Sequence, residues 1–250
     1  MKFNGFVWLV IFGLISCKPD APELRLSVSN SNVPKSAQGY LINHTYYSLS
    51  YVSAHRQSEF AFYWLSPESI QGKQSRTDNF RIDPNVKTNP VSSTAYAGSG
   101  YDRGHLCPAA DMALNLTAMS ETFFMSNMSP MTPSFNRGIW ASLEDWVRSA
   151  ALANGGVYVA TGPILSANCG TLSGGITVPC TFYKIAFKDG ANPKMIGFVL
   201  ANAGSSLALK SFAVPIEEIE RITGLDFFPQ LDDSIENKLE GAVNLSAWSL

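Results

Sequence analysis

Arg103-Gly104-His105 sets a permanently charged, forked donor two residues from an imidazole. A guanidinium presents paired donors that match phosphate oxygens, and histidine changes charge near neutral pH, so it can take a proton from an attacking group. Gly104 between them carries no side chain that would crowd a ligand. The trio therefore has the parts of a phosphate clamp and a general base. By itself it is a weak signal, and a turn holding a hydrogen-bonded histidine is the simpler account of it.

A second set of residues follows at Ser126-Asn127-Met128-Ser129-Pro130, Phe135-Asn136-Arg137-Gly138 and Leu143-Glu144-Asp145-Trp146. Apolar Ile139, Leu143, Trp146, Val147, Ala150 and Ala151 recur at three- and four-residue steps, which predicts a helix from Ile139 to Ala153. Asn136, Trp140 and Glu144 are spaced by four and fall on a neighbouring stripe. Taken alone, Asn136 would cap that helix and Glu144 would be a surface acid paired with Arg148.

Together the motifs resemble the DNA/RNA non-specific endonuclease family, whose signature is Asp-Arg-Gly-His followed by an Asn and, eight residues later on one helix, a Glu. Asp102-Arg103-Gly104-His105, Asn136 and Glu144 match it position by position. The likeness extends from Ser75-Arg76-Thr77-Asp78-Asn79-Phe80 upstream to Thr161-Gly162-Pro163-Ile164 downstream and spans roughly residues 40 to 225. It implies a ββα-metal finger. It also implies that His105 is the general base and Asn136 the one direct protein ligand of a magnesium ion, for which manganese can substitute. Glu144 then orients the metal's waters, Arg103 and an upstream arginine contact phosphate, and Asn127 shapes the site. Spacing varies in the upstream segment, and Arg76 is preferred there to Arg81. Asp102 is expected to orient the motif rather than bind metal. The implied reaction is hydrolysis of DNA and RNA to 5′-phosphorylated fragments. A nucleic-acid-binding protein without catalysis predicts loss of one of these residues, and none is missing. A phosphodiesterase for another substrate, such as a nucleotide or lipid headgroup, stays open.

With 46% hydrophobic and 15% charged residues in 250, the chain suits one packed domain with tails. Its formal charge is −2, so composition alone does not suggest nucleic acid, and basic groups must be gathered locally. Lys2 precedes an apolar run from Phe3 to Ile15, too short to span a bilayer and of signal-peptide length. Leu14-Ile15-Ser16-Cys17 resembles a bacterial lipobox, which implies cleavage before Cys17, lipidation of its thiol and residence as an exported lipoprotein at the cell envelope, on a face these residues do not assign. An ordinary secretory signal is the alternative. Residues 1–16 are thus expected as signal, 17–38 as a flexible tether rich in Pro, Ser and Asn, and 39–250 as the domain.

Export favours disulfides, so Cys169 and Cys180 are expected to pair, leaving Cys107 as a buried thiol. A zinc site at His105 and Cys107 fails on ligand count. Aromatic and β-branched runs predict strands at 45–52, 60–65, 157–161, 182–187 and 195–200, with His55-Arg56-Gln57-Ser58-Glu59 as a loop. Pro215 opens a further helix with acids in its first turn. The expected class is α+β, a central and mostly antiparallel sheet with flanking helices. His44 and His55 are expected at the surface or in caps, and the tryptophans in the core.

Overall fold

The structure, a computed structural model, describes Met1 and residues 32–250, so the signal segment, Cys17 and most of the tether lie outside the described residues. In chain order the strands are β1 (Tyr40–Asn43), β2 (Tyr47–Val52), β3 (Gln57–Leu65), β4 (Asp102–His105), β5 (Met128–Met131), β6 (Val157–Pro163), β7 (Asn168–Thr171), β8 (Thr177–Pro179), β9 (Thr181–Lys188), β10 (Lys194–Ala201) and β11 (Ala213–Val214). The helices are α1 (Pro67–Ile70), α2 (Leu116–Glu121), α3 (Trp140–Asn154), α4 (Ile216–Thr223) and α5 (Asp233–Glu240). Seven strands form one antiparallel sheet in the order β1-β2-β3-β6-β9-β10-β11, while β4-β5 is a separate two-stranded sheet and β7-β8 a separate hairpin.

The sheet is covered on both faces, which is why its strands read as continuous apolar runs rather than alternating ones. Along β3, Ala61, Tyr63 and Leu65 join the core beneath α3, with Trp140, Leu143, Val147 and Ala151. Phe60 and Phe62 point the other way, into a core shared with Ile216 and Ile219 of α4 and with Phe227 and Phe228. The α+β class expected from the sequence is thus the one observed.

Two stretches differ from expectation. Gln57, Ser58 and Glu59 are not loop: they are the buried start of β3. A register shift opposite Ser50 and Tyr51 leaves Glu59 unpaired with β2, a bulge that re-aims the strand. Their polar atoms are all used. Ser58 donates to the Ser126 carbonyl at 2.8 Å, Gln57 binds Ser129 and the Thr177 carbonyl, and Glu59 accepts from Ser36 and Ser50. The end of the expected tether is also packed: Val33 is buried, Lys35 bridges to Asp226, and the Gln38 and Gly39 amides donate to Glu59, so residues 33–39 lie against the domain.

Candidate active site

Strands β4 and β5 pair from Asp102↔Met131 to His105↔Met128, and the chain then enters α3 through a wide π-type turn, Phe135–Ile139. Two strands and a helix are thereby folded into one finger. The finger is fixed to the sheet by the buried bonds from Ser58 and Gln57 to Ser126 and Ser129. Gly104 serves packing rather than ligand access: a Cβ there would sit 2.2 Å from the Met131 sulfur. A side chain there would have to displace Met131.

His105 lies between Phe80 and Phe123, with ring centroids 5.8 and 5.0 Å away and both contacts edge-to-face. Nε2 is sealed from solvent without a hydrogen-bond partner. Burial first, then the charges of Arg76 and Arg103, lower its pKa to about 3. The imidazole is therefore neutral at physiological pH. The two arginines rest on the same aromatic pair: Arg103 stacks 3.9 Å above Phe80, and Arg76 lies 4.8 Å from Phe123. Arg103 is exposed and forms no ion pair among the described residues, while Arg76 holds only the exposed Asp78 at 2.7 Å. Such a contact is readily exchanged for a phosphate. Arg81 is committed elsewhere. It donates to the carbonyls of Asn79 and Ser120 and stacks on Phe124.

Asn136 does not cap α3; it sits inside the π-type turn, and its amide Nδ2 donates to Asp102 Oδ2 at 3.0 Å. A carboxylate can only accept, so this bond fixes the amide's orientation and leaves Oδ1 as a free acceptor. Arg137 clamps the same carboxylate through two nitrogens at 2.9 and 2.6 Å. Hydrogen bonding from Arg137, with Asn136 assisting, holds the Asp102 carboxyl below the usual carboxylate range. Asp102 thus positions Asn136.

Glu144, two turns further along α3, is not the partner of Arg148, which binds Asp111 at 2.8 Å and also Asp145. Glu144 accepts no hydrogen bond from the described residues. Burial raises its pKa to about 7, opposed chiefly by Lys184. Lys184 is the residue that sequence reasoning passed over. It interrupts an aromatic strand, is 1% exposed, and holds its ammonium 4.4 Å over the Trp140 ring with no hydrogen-bond partner. A charge inside Phe182-Tyr183-Lys184-Ile185-Ala186-Phe187 was the available signal. Asp111, which accepts from Tyr63 and Arg148, completes this buried group.

Asn127 is fully buried and fully bonded: it accepts from the Cys107 amide and donates to the carbonyls of Cys107 and Thr122, at 2.8 to 2.9 Å. It braces the loop after His105 and has no free atom for ligand. His44 is a correction. Its side chain is 1% exposed, pairs with Asp83 at 3.1 Å and stacks on Phe124, tying the Arg76 segment to the finger together with Ser126, which donates to the same carboxylate. His55 bonds Thr177 of β8 at 2.9 Å. Cys169 and Cys180 form the expected disulfide, and Cys107 is a buried free thiol whose pKa burial pushes up.

The family described as DNA/RNA non-specific endonuclease matches residues 27–234. Nuclease C1 of Cunninghamella echinulata var. echinulata is 34% identical over 235 residues, covering 86% of this chain and 93% of that protein. Mitochondrial endonuclease G of Homo sapiens is 33% identical over 204 residues, covering 74% of this chain and 68% of that one. Among solved structures, a chain from the crystal structure of the EndoG/EndoGI complex superposes with a TM-score of 0.72 at 29% identity, covering 79% of this chain and 89% of that one. The chain belongs to the DNA/RNA non-specific endonuclease family and is a hydrolytic enzyme.

Proposed function

We propose that the protein is a magnesium-dependent, sugar-non-specific endonuclease that cuts DNA and RNA to 5′-phosphorylated fragments at the bacterial cell envelope. The observation that carries this reading is a neutral imidazole flanked by two arginines, all three seated on Phe80 and Phe123. His105 takes the proton of the attacking water. Arg103 and Arg76 hold the phosphate and offset charge that builds on its oxygens. Contacts of this kind address the backbone and not the bases, so cleavage is independent of sequence.

The residues also suit the metal. The free Oδ1 of Asn136 is a hard oxygen donor, and Glu144 adds a carboxylate without a hydrogen-bond partner. Among the described residues no group of three or more His, Cys, Asp or Glu is placed to hold an ion, so a cation here depends on few protein donors and on water, as magnesium accepts. When bound, it would supply Lewis-acid stabilisation of the phosphate and leaving oxygen. Asp102 keeps Asn136 aimed, and Lys184 favours the ionised form of Glu144.

A labelled oligonucleotide, as DNA and as RNA, tests this. Cleavage of both should stop with chelator and return with magnesium, leaving ends that ligate as 5′-phosphates. Cleavage that persists in chelator, or 3′-phosphate ends, would contradict the reading. The envelope assignment rests on Leu14-Ile15-Ser16-Cys17. Cys17→Ala should release the protein from the membrane fraction or leave an uncleaved precursor, and unchanged partitioning would remove the lipid anchor from the account.

A further inference from the structure

Beside Arg103 the surface opens into two adjoining cavities, of about 260 and about 410 Å³, that share Ala97 and Tyr101 in their walls. The first is bounded by Tyr96 and by Asp102-Arg103, and the second by Gly170, Thr171 and Ser173 of the disulfide-closed hairpin β7-β8. We propose that this groove is a subsite for the nucleotides next to the cleaved phosphate, with Tyr101 as the platform on which a base stacks. The inference rests on the nuclease reading and adds to it where the strand runs.

The groove has its own foundation. Leu172, Ile176 and Val178 of the hairpin pack with Tyr96, Met125 and Met128 in a small core separate from the two that stabilise the sheet, and Tyr101 and Phe80 lie at its margin. That core joins the hairpin to strand β5 of the finger and to the ring under Arg103. Arg56 holds the hairpin tip from outside, donating to the carbonyls of Gly174 and of Pro90. Gly98 and Gly100 adopt left-handed backbone, φ +68° and +80°, with open space where a side chain would stand. The loop bearing Tyr101 therefore presents backbone rather than bulk, and it is held in shape by the Ser99 hydroxyl, which donates to the Tyr96 carbonyl and accepts from the Tyr101 amide.

The charges decide which part of a nucleotide fits. Apart from Arg103, the one ionised wall residue is Asp102, whose carboxylate is already clamped by Arg137. Away from Arg103 the groove offers little to a phosphate, and a half-buried tyrosine suits the face of any base. Binding through Tyr101 is therefore sequence-tolerant and insensitive to salt, in contrast to the arginine contacts.

The experiment measures binding of a labelled single-stranded oligonucleotide to His105→Ala protein across a salt series, so that cleavage does not intrude. Adding Tyr101→Ala should weaken binding about tenfold at every salt concentration and leave the slope of log K against log salt unchanged. Tyr101→Phe should restore it, whereas Arg76→Ala should reduce the slope by about one. Thr171→Trp, which fills the groove from its exposed wall, should weaken binding as well and serves if Tyr101→Ala unfolds. In the parent, Tyr101→Ala should raise KM for the oligonucleotide more than it lowers kcat. Unaltered binding in Tyr101→Ala and Thr171→Trp, or a loss that Phe does not restore, overturns the subsite. If those hold while the parent still cleaves, only the subsite fails. A parent that neither binds nor cleaves either nucleic acid defeats the nuclease reading itself.

Discussion

Phe62, Tyr158, Phe187 and Phe228 close on one another on the α4 face of the sheet, with ring centroids 4.7 to 6.1 Å apart. The α3 face instead buries Lys184 and Asp111 among its aromatic residues, with Glu144 partly buried beside them. Burying an ammonium without a hydrogen-bond partner costs stability, whereas closely packed rings contribute it. Both faces thus supply cohesion, and the α3 face in addition encloses an ammonium beside two carboxylates. The helix that bears Glu144 begins at the turn holding Asn136, so the polar face is also the one that reaches the finger.

That division can be broken from either side. The largest effect belongs to the apolar face: Phe62→Ala should cost about 3–5 kcal/mol of unfolding free energy. Its folded enzyme should keep kcat within about twofold, since the variant touches nothing in the finger. A large drop in kcat at full folding would mean the faces are not independent. Next comes His105→Ala, which should lose cleavage by about a hundredfold or more, roughly 2.7 kcal/mol in the barrier, at little cost to folding. Near-normal cleavage of plasmid DNA would remove the imidazole from the mechanism. The smallest is Lys184→Met. Lys184 lowers the Glu144 pKa, so without it that pKa rises above about 7 and the carboxylate forms only at higher pH. The acidic limb of the cleavage rate should move upward in pH. An unmoved limb would show that Glu144 is not the titrating group.

The sequence made the chemistry more legible than its supports. Asp102, Arg103, His105, Asn136 and Glu144 are readable only through the family resemblance, since by themselves the run reads as a turn, Asn136 as a cap and Glu144 as a surface acid, whereas the strands are readable because burial on both faces makes them aromatic and β-branched. Polar groups whose partners lie far along the chain were not. Gln57 and Ser58 look like loop residues until Ser129 and Ser126 arrive from about seventy residues away to bond them. His44 reads as a surface histidine because Asp83 and Phe124 are equally invisible locally. Tyr101 was passed over because its significance depends on a hairpin closed by Cys169 and Cys180, well beyond the finger.

The central claim is that base and metal donor are separate groups of one finger, with His105 proposed as the first and Asn136 as the second. Cleavage rate against magnesium concentration for Asn136→Ala and His105→Ala tests it most directly. Asn136→Ala removes the oxygen donor proposed for the metal, so its curve should shift to higher magnesium and recover part of the parent rate. His105→Ala should half-saturate at the parent's magnesium concentration and stay flat at its low rate. Equal rescue of both variants, or rescue of His105→Ala alone, would contradict the assignment.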